Sequence, residues 1–579
     1  MAAKRGELVP HPPKKIEYEI RYATTDAAKG HDAKQVRPGI ADCRLATADR
    51  ANPGAPSPSP KPQTAESESP VPVAQSIARF NSIRPKESLT GHVDMLIVGA
   101  GISGIGLGHY LVTKSPGKSY AIVDGRDAIG GTWDLFRYPG IRSDSDMHTF
   151  GFEYKPWTSD NAIADAHEIL SYLHEAIDED GLAKQIYLQH RVIRANFNSD
   201  DALWTVTLER GGQQWDITCN WFFGATGYYN YAEGNAPHFE GREDFEGQIV
   251  HPQFWPEDLA YHGKEIVVIG SGATAVTLIP AMADDAKHIT MLQRSPSYVM
   301  PQPRKDPIAN ALRKVLPAKA AYAAARRFNI GKQRFIYGLC QRNPKLARRI
   351  IRAVNAKMLP TGYDVDTHFK PTYDPWDQRL CAVPDADLFR TIGTGKAAVV
   401  TDKIARFTKT GILLESGREL NADIIVTATG LKLQLFGGIE VSVDGEVTNA
   451  HDCLVYKSFM LSGIPNLGFM FGYTNSSWTL KVDLVCEHLC RLLAYMDQHG
   501  YTTVVPVADD PNIGKRPMLA FSAGYIMRSI DEFPQQGTSG PWTIEMDYRA
   551  DVARLRTGPV DDPALRFSSA DRPVAAAAR

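Results

Sequence analysis

Gly99, Gly101 and Gly104 stand in the spacing GxGxxG, after a short apolar run from Val93 to Val98 and at the start of a helical pattern. Glycines so placed permit a tight turn, let the backbone approach a pyrophosphate, and let the helix close on the strand. The helix N-terminus, near Ser103, then offers its positive dipole end to phosphates. A second apolar run, "SYAIVDG", ends at Asp124, twenty residues beyond Gly104. A carboxylate there accepts hydrogen bonds from ribose hydroxyls. "KEIVVIGSGATAVTLIP" repeats the design with Gly270, Gly272 and Ala275 in the small positions, and with Ala273 and Thr274 opening the helix. Its second strand, "HITMLQRS", ends in Arg294 and Ser295 instead of an acid. A guanidinium binds a 2′-phosphate with a charge-assisted contact, whereas a carboxylate would repel it. The first loop therefore suits the ADP half of FAD and the second suits NADPH. Two such sites in one chain imply that electrons pass from nicotinamide to flavin.

A flavin can pass electrons to a disulfide, a quinone or oxygen. The seven cysteines are scattered without CxxC or metal-ligand spacing, and Cys486 and Cys490 are too far apart for a redox pair. That excludes a disulfide framework and a zinc site and suits a reducing cytoplasm. A formal net charge of −2 gives no reason to expect nucleic acid. The uncharged stretch between Lys457 and Lys481 is interrupted by Gly463, Pro465 and Gly468, so it reads as buried strand and turn and not as a membrane span. The N-terminus lacks the apolar core of a secretory signal, and the expected location is the cytoplasm.

The elements that must carry these loops are strands followed by helices, an α/β pattern of two Rossmann-like domains. Ahead of them, residues 1–88 hold 12 of the 38 prolines and show no periodicity. They read as a disordered tail, because nothing there buries enough apolar surface to offset ordering entropy. Between Arg304 and Lys357 there are fifteen Lys or Arg against one acid, Asp306, in a helical pattern that sets Ile350, Ile351, Val354 and Met358 beside basic residues. Two readings stay open for this segment. It is an ordinary solvated helical insert, or a peripheral contact with anionic lipid.

Two long patterns identify a family. "GGTWDLFRYPGIRSD", Gly130 to Asp144, matches [AG]GxWxxxx[FY]P[GM]xxxD at every fixed position. "FEGQIVHPQFWP" matches FxGxxxHxxxW[PD] through Phe245, Gly247, His251, Trp255 and Pro256. In both, and in their order between two nucleotide loops, the chain resembles the type I Baeyer–Villiger monooxygenases. "DLFRYPGIRSDSDM", "GYYNY", "IGSGATAVTL" and "YDPWDQRL" are similar to segments of a mycobacterial, thioamide-activating branch of that family.

The resemblance implies an architecture: an FAD-binding domain in two parts, 89–230 and 386–567, with the NADPH-binding domain inserted at 231–385. That domain would carry the basic helical insert 304–360, and 568–579 would be a second tail. Ala225-Thr226-Gly227 and Ala428-Thr429-Gly430 resemble the turns that pass the chain between domains. Leu89 sits where the chain of that thioamide-activating branch starts, so 1–88 is expected to be dispensable, or not translated at all.

The resemblance also implies roles. Thr132, Trp133, Arg142, Asp144 and Val192 would surround FAD, and His251 would orient the link between domains. Arg379, in "WDQRLCAVPDADLFR", would hold the negative charge of a peroxyflavin, with Asp144 positioning it. Most members have Lys-Arg where this chain has Gln378-Arg379, which shifts more of the 2′-phosphate's charge onto Arg294. The implied reaction inserts one oxygen atom from O2 into a ketone, giving an ester or lactone, and extends to thioamide and sulfide sulfur. Trp255 speaks against a dedicated N- or S-hydroxylating enzyme. Arg379 with Asp144 speaks against a redox sensor without turnover. No metal is expected, and the partners are small molecules.

Overall fold

The apolar run before the first glycine loop forms the strand His92–Val98, with Leu96 and Ile97 fully buried. It is apolar on both faces because it lies in the parallel part of a mixed sheet, between two parallel neighbours and covered on both sides. Its parallel neighbours are Tyr120–Asp124 on one side and Gln213–Gly224 on the other. The sheet has nine strands, and three of its members, Glu440–Val443, Glu446–Val447 and Leu467–Phe469, arrive from far down the chain. Glu440–Val443 pairs with Arg191–Asn198, and Leu467–Phe469 pairs with Gln213–Gly224. The first domain is thus assembled from both halves of the chain. The computed structural model describes residues 88–378, 380–519 and 524–569. The tail expected at 1–88 lies outside the described residues except for Ser88, and Arg379 lies outside them too. Leu89 is already buried, and its backbone N–H donates to His190 Nε2 at 3.2 Å. At the other end Ser568 still pairs with Thr503, so the expected second tail begins inside a strand.

The second sheet has five parallel strands centred on Glu265–Ile269, between His288–Gln293 and Ile424–Thr427. Here the expected boundary at 385 needs correction. Ala397–Thr401 and Ile424–Thr427 belong to this sheet, and the antiparallel strands Ile404–Thr408, Gly411–Leu414 and Glu419–Asn421 lie between them. The physical reason is that the central strand needs a parallel neighbour on each side. Ile424–Thr427 supplies one of them, with all four residues buried. The inserted domain therefore closes near the Ala428-Thr429-Gly430 turn.

Two antiparallel linker strands, Tyr229–Gly234 and Leu431–Leu433, join the domains. Thr429 Oγ1 donates to the Asn235 carbonyl at 2.5 Å, and Asn235 Nδ2 donates to the Thr429 carbonyl at 2.8 Å. The aromatic stretch 245–256 packs onto this link. Gln253 Nε2 donates to the carbonyls of Asn230 and Tyr231, and the His251 ring lies so close to Gly234 that a Cβ there would collide with it.

The basic segment folds as three helices, Pro307–Val315, Ala318–Arg342 and Pro344–Met358. Asp306, its one acid, caps the first of them by accepting from the N–H groups of Ile308 and Ala309. The middle helix anchors the segment to the first domain. Arg326 is buried there, pairs with buried Asp483 at 2.8 Å, and donates to the carbonyls of His148, Thr149 and Gly151. Removing one partner of such a pair leaves a buried charge alone. Arg326→Met is expected to destabilise the fold by about 3–5 kcal/mol, read as a lower urea midpoint with FAD bound. An unchanged midpoint would show that the pair contributes nothing. No described helix is long and apolar enough to cross a membrane.

Candidate active site

Both glycine loops are built alike. The helices Ile102–Lys114 and Ala273–Met282 start after Gly101 and Gly272, and no side chain caps either one. Their first N–H groups are therefore left for a ligand. Gly99 has φ +114° and Gly270 φ +134°, a region open to glycine. A Cβ on Gly99 would sit 2.5 Å from the Ala225 carbonyl oxygen, and one on Gly270 would collide with that of Ala428. Each loop is thus pressed against an Ala-Thr-Gly turn. Gly104 fits under the Gly99 carbonyl where any Cβ would clash, whereas Ala275 fills the equivalent place in the second domain, fully buried.

A cavity of about 490 Å³ opens from the first loop toward the second domain. Of the residues singled out in the sequence, Gly99, Gly101, Ser103, Asp124, Thr132, Trp133, Arg142, Asp144, Val192, Ala273 and Thr274 line it. Gly104, Gly270, Gly272, Ala275, Arg294 and Ser295 do not. Gly104 and Ala275 are packing positions. Arg294 and Ser295 are exposed just beyond the strand His288–Gln293, beside the second loop, where Ser271 Oγ donates to the Ser295 carbonyl at 3.3 Å.

Asp124 accepts from the N–H groups of Ala100 at 2.8 Å and Arg126 at 2.9 Å, so its carboxylate also braces the loop. Burial pushes its carboxyl above the ordinary range, and the two N–H donors pull it back.

The fingerprint Gly130–Asp144 forms the wall between the domains. Gly140, at φ +76°, lies against the second domain's helix, where a Cβ would stand 2.6 Å from that of Ala281. Tyr138 hydrogen-bonds Thr274, and burial raises its phenol to about 12. Arg142 is buried and pairs through Nη1 with Asp387 at 2.6 Å, while its Nη2 has no protein partner. A buried guanidinium nitrogen without an acceptor is costly unless a ligand supplies one. The uncapped helix N-terminus and Arg142 supply donors along this cavity and the strand-end carboxylate supplies an acceptor, the set a dinucleotide requires. The residues present fit FAD.

Sequence reasoning missed the opposite wall. Tyr473, Ser476 and Trp478, from the uncharged stretch between Lys457 and Lys481, line the cavity, and Trp478 Nε1 donates to Ser103 Oγ at 2.9 Å. Tyr473 donates to Asp551 at 2.6 Å, and Asp551 pairs with Lys481 in full burial. "GYTNSSW" carries no motif that marks these side chains individually. Cys486 and Cys490 are buried and unpaired.

The model of flavin-binding monooxygenase-like proteins matches residues 151–461, and an NAD(P)-binding Rossmann-like domain matches 97–161. The FAD-containing monooxygenase EthA of Mycobacterium tuberculosis H37Rv is 52% identical over 487 residues, covering 84% of this chain and all of that protein. The chain belongs to the flavin-binding monooxygenase-like family. It is an FAD- and NADPH-dependent monooxygenase. The probable FAD-binding monooxygenase AlmA of Acinetobacter baylyi is 47% identical, with 82% of this chain and 96% of that protein covered. Among solved structures, a steroid monooxygenase bound to NADP superposes with a TM-score of 0.66 at 20% identity, and an open cyclohexanone monooxygenase with 0.64 at 22%. Each covers 83% of this chain and all of the solved one. At such identities the likeness speaks for the monooxygenase's fold: two Rossmann-like domains, one inserted in the other.

Proposed function

We propose that this monooxygenase is of the Baeyer–Villiger type. A ketone, O2, NADPH and a proton become an ester or lactone, NADP+ and water, and thioamide and sulfide sulfur are also oxidised. The observation that carries the reading is the Gly130–Asp144 fingerprint, whose Arg142 and Asp144 line the cavity together with Ala273 and Thr274 of the other domain. The bound flavin, reduced by NADPH, supplies the oxygen-activating chemistry.

The chain has three tasks around it. Aromatic side chains, Trp133, Tyr228 and Trp478 among them, line the cavity and exclude water. Arg379 holds negative charge developing at the reacting oxygen, and a preorganised cation in a dry site does this without reorganisation. Asp144 is a positioning residue that sets where the guanidinium rests. The clasp of His251 and Gln253 on the linker strands lets the NADPH domain shift without separating from its partner.

Assay of one cyclic ketone beside one alkyl sulfide, with product analysis, tests the reading. Ester from the ketone supports it. Sulfoxide alone would favour the N- or S-hydroxylating alternative. Arg294 gives a separate test. Arg294→Ala should raise KM for NADPH about tenfold or more, since a lost charge-assisted contact is worth about 1.5–3 kcal/mol. KM for NADH should barely move. Equal loss with both cofactors would remove Arg294 from the 2′-phosphate site.

A further inference from the structure

The three basic helices bury one face and expose an apolar one. Of the twelve large apolar side chains exposed among the described residues, eight lie between Ile308 and Met358. A solvated insert would not concentrate them there.

Their spacing makes ridges. On the third helix Leu346, Ile350 and Met358 are exposed at i, i+4 and i+12, with half-buried Val354 at i+8, while Ala347, Ile351 and Asn355 face inward. Phe328 and Phe335, two turns apart, are exposed on the middle helix, Phe335 at 72%. Val315 ends the first helix at 76% exposure, beside Leu316.

Charge surrounds these ridges. From Pro307 to Met358 there is no acid. Acids lying outside those bounds neutralise some cations, as Asp160 does Arg313, Asp547 does Arg334 and Asp366 does Arg352. Eight more cations are exposed and form no ion pair among the described residues, including Arg327, Lys332, Lys345 and Arg349 beside the ridges.

We infer that these three helices seat the enzyme on an anionic lipid surface. Phe328, Phe335, Leu346 and Ile350 enter the headgroup boundary and the unpaired cations meet lipid phosphate. No described helix can span a bilayer, so the helices lie in the interface plane. A second copy is a poor occupant. A symmetric contact would set two faces rich in unpaired cations against each other, since the acids beside them already pair with cations of their own copy.

The test uses the FAD-loaded full chain and vesicles of phosphatidylcholine with or without phosphatidylglycerol, in a flotation assay. The protein should float with the anionic vesicles at low salt, and high salt should release most of it. Phe328→Ser with Phe335→Ser, and separately Arg327→Glu with Lys345→Glu and Arg349→Glu, should each lower vesicle partitioning about tenfold or more. Turnover of a water-soluble ketone should stay unchanged in both, since neither set touches the cavity. Absence of flotation at low salt would overturn the inference, as would flotation equal for neutral and anionic vesicles. A concentration-dependent dimer that Phe335→Ser abolishes, without flotation, would assign the face to self-association. Retention on an acidic polypeptide without flotation would assign it to an acidic protein.

Discussion

Arg379→Ala is expected to bind FAD and to accept hydride from NADPH at near the normal rate, yet to lose oxygenated product about a hundredfold or more. Removing one preorganised charge stabiliser costs on the order of 3 kcal/mol, and each 1.4 kcal/mol is about tenfold in rate. In the proposed role the defect belongs to the oxidative half, because the charge that Arg379 would hold appears only after oxygen reacts. Lysine should rescue poorly, since a point charge does not reproduce a planar fork of donors. Asp144→Ala should give a milder form of the same defect, as it acts through the arginine and the flavin. Stopped-flow absorbance of flavin reduction and reoxidation, with product per NADPH, separates the halves. Wild-type product yield from Arg379→Ala would refute the role.

The second large effect is an asymmetry between the two loops. Gly104→Ala should yield protein that no longer retains FAD. The added methyl must displace the Gly99 carbonyl, which belongs to the loop facing the pyrophosphate. Ala275→Gly makes the opposite change at the matching position of the second domain. There the loss is only helix propensity and a small contact, about 1 kcal/mol, and NADPH should still bind. FAD content by absorbance after gel filtration reads the first, and KM for NADPH reads the second. A Gly104→Ala enzyme with full flavin would mean that the loop can move aside, and the packing account would fail.

Both nucleotide loops were legible because their chemistry is local. Strand, glycines, helix and strand-end residue all lie within some thirty positions, and Gly99, Gly101, Ser103 and Asp124 of the first loop line one cavity with Ala273 and Thr274 of the second. What escaped depends on pairing across long separations. Ile424–Thr427 lies about 155 positions beyond its neighbour Glu265–Ile269, so periodicity marks it as a buried strand without saying in which sheet. "ADIIVTATG" held a clue, since its turn repeats Ala225-Thr226-Gly227, where the first domain hands the chain over. The Arg326–Asp483 pair also joins residues 157 apart. Pattern showed apolar residues beside basic ones on the third basic helix. Which ridge turned inward was decided by packing: Ala347 and Ile351 are buried, and Leu346 and Ile350 are exposed.

The central claim is that this cavity delivers one oxygen atom of O2 to a ketone at the expense of NADPH. Reaction of the FAD-loaded enzyme with NADPH, a cyclic ketone and 18O2, followed by mass spectrometry of the product, tests it most directly. The account predicts a lactone carrying one 18O, in near one-to-one ratio with NADPH consumed. NADPH oxidation that yields hydrogen peroxide while the ketone is recovered unchanged would contradict it.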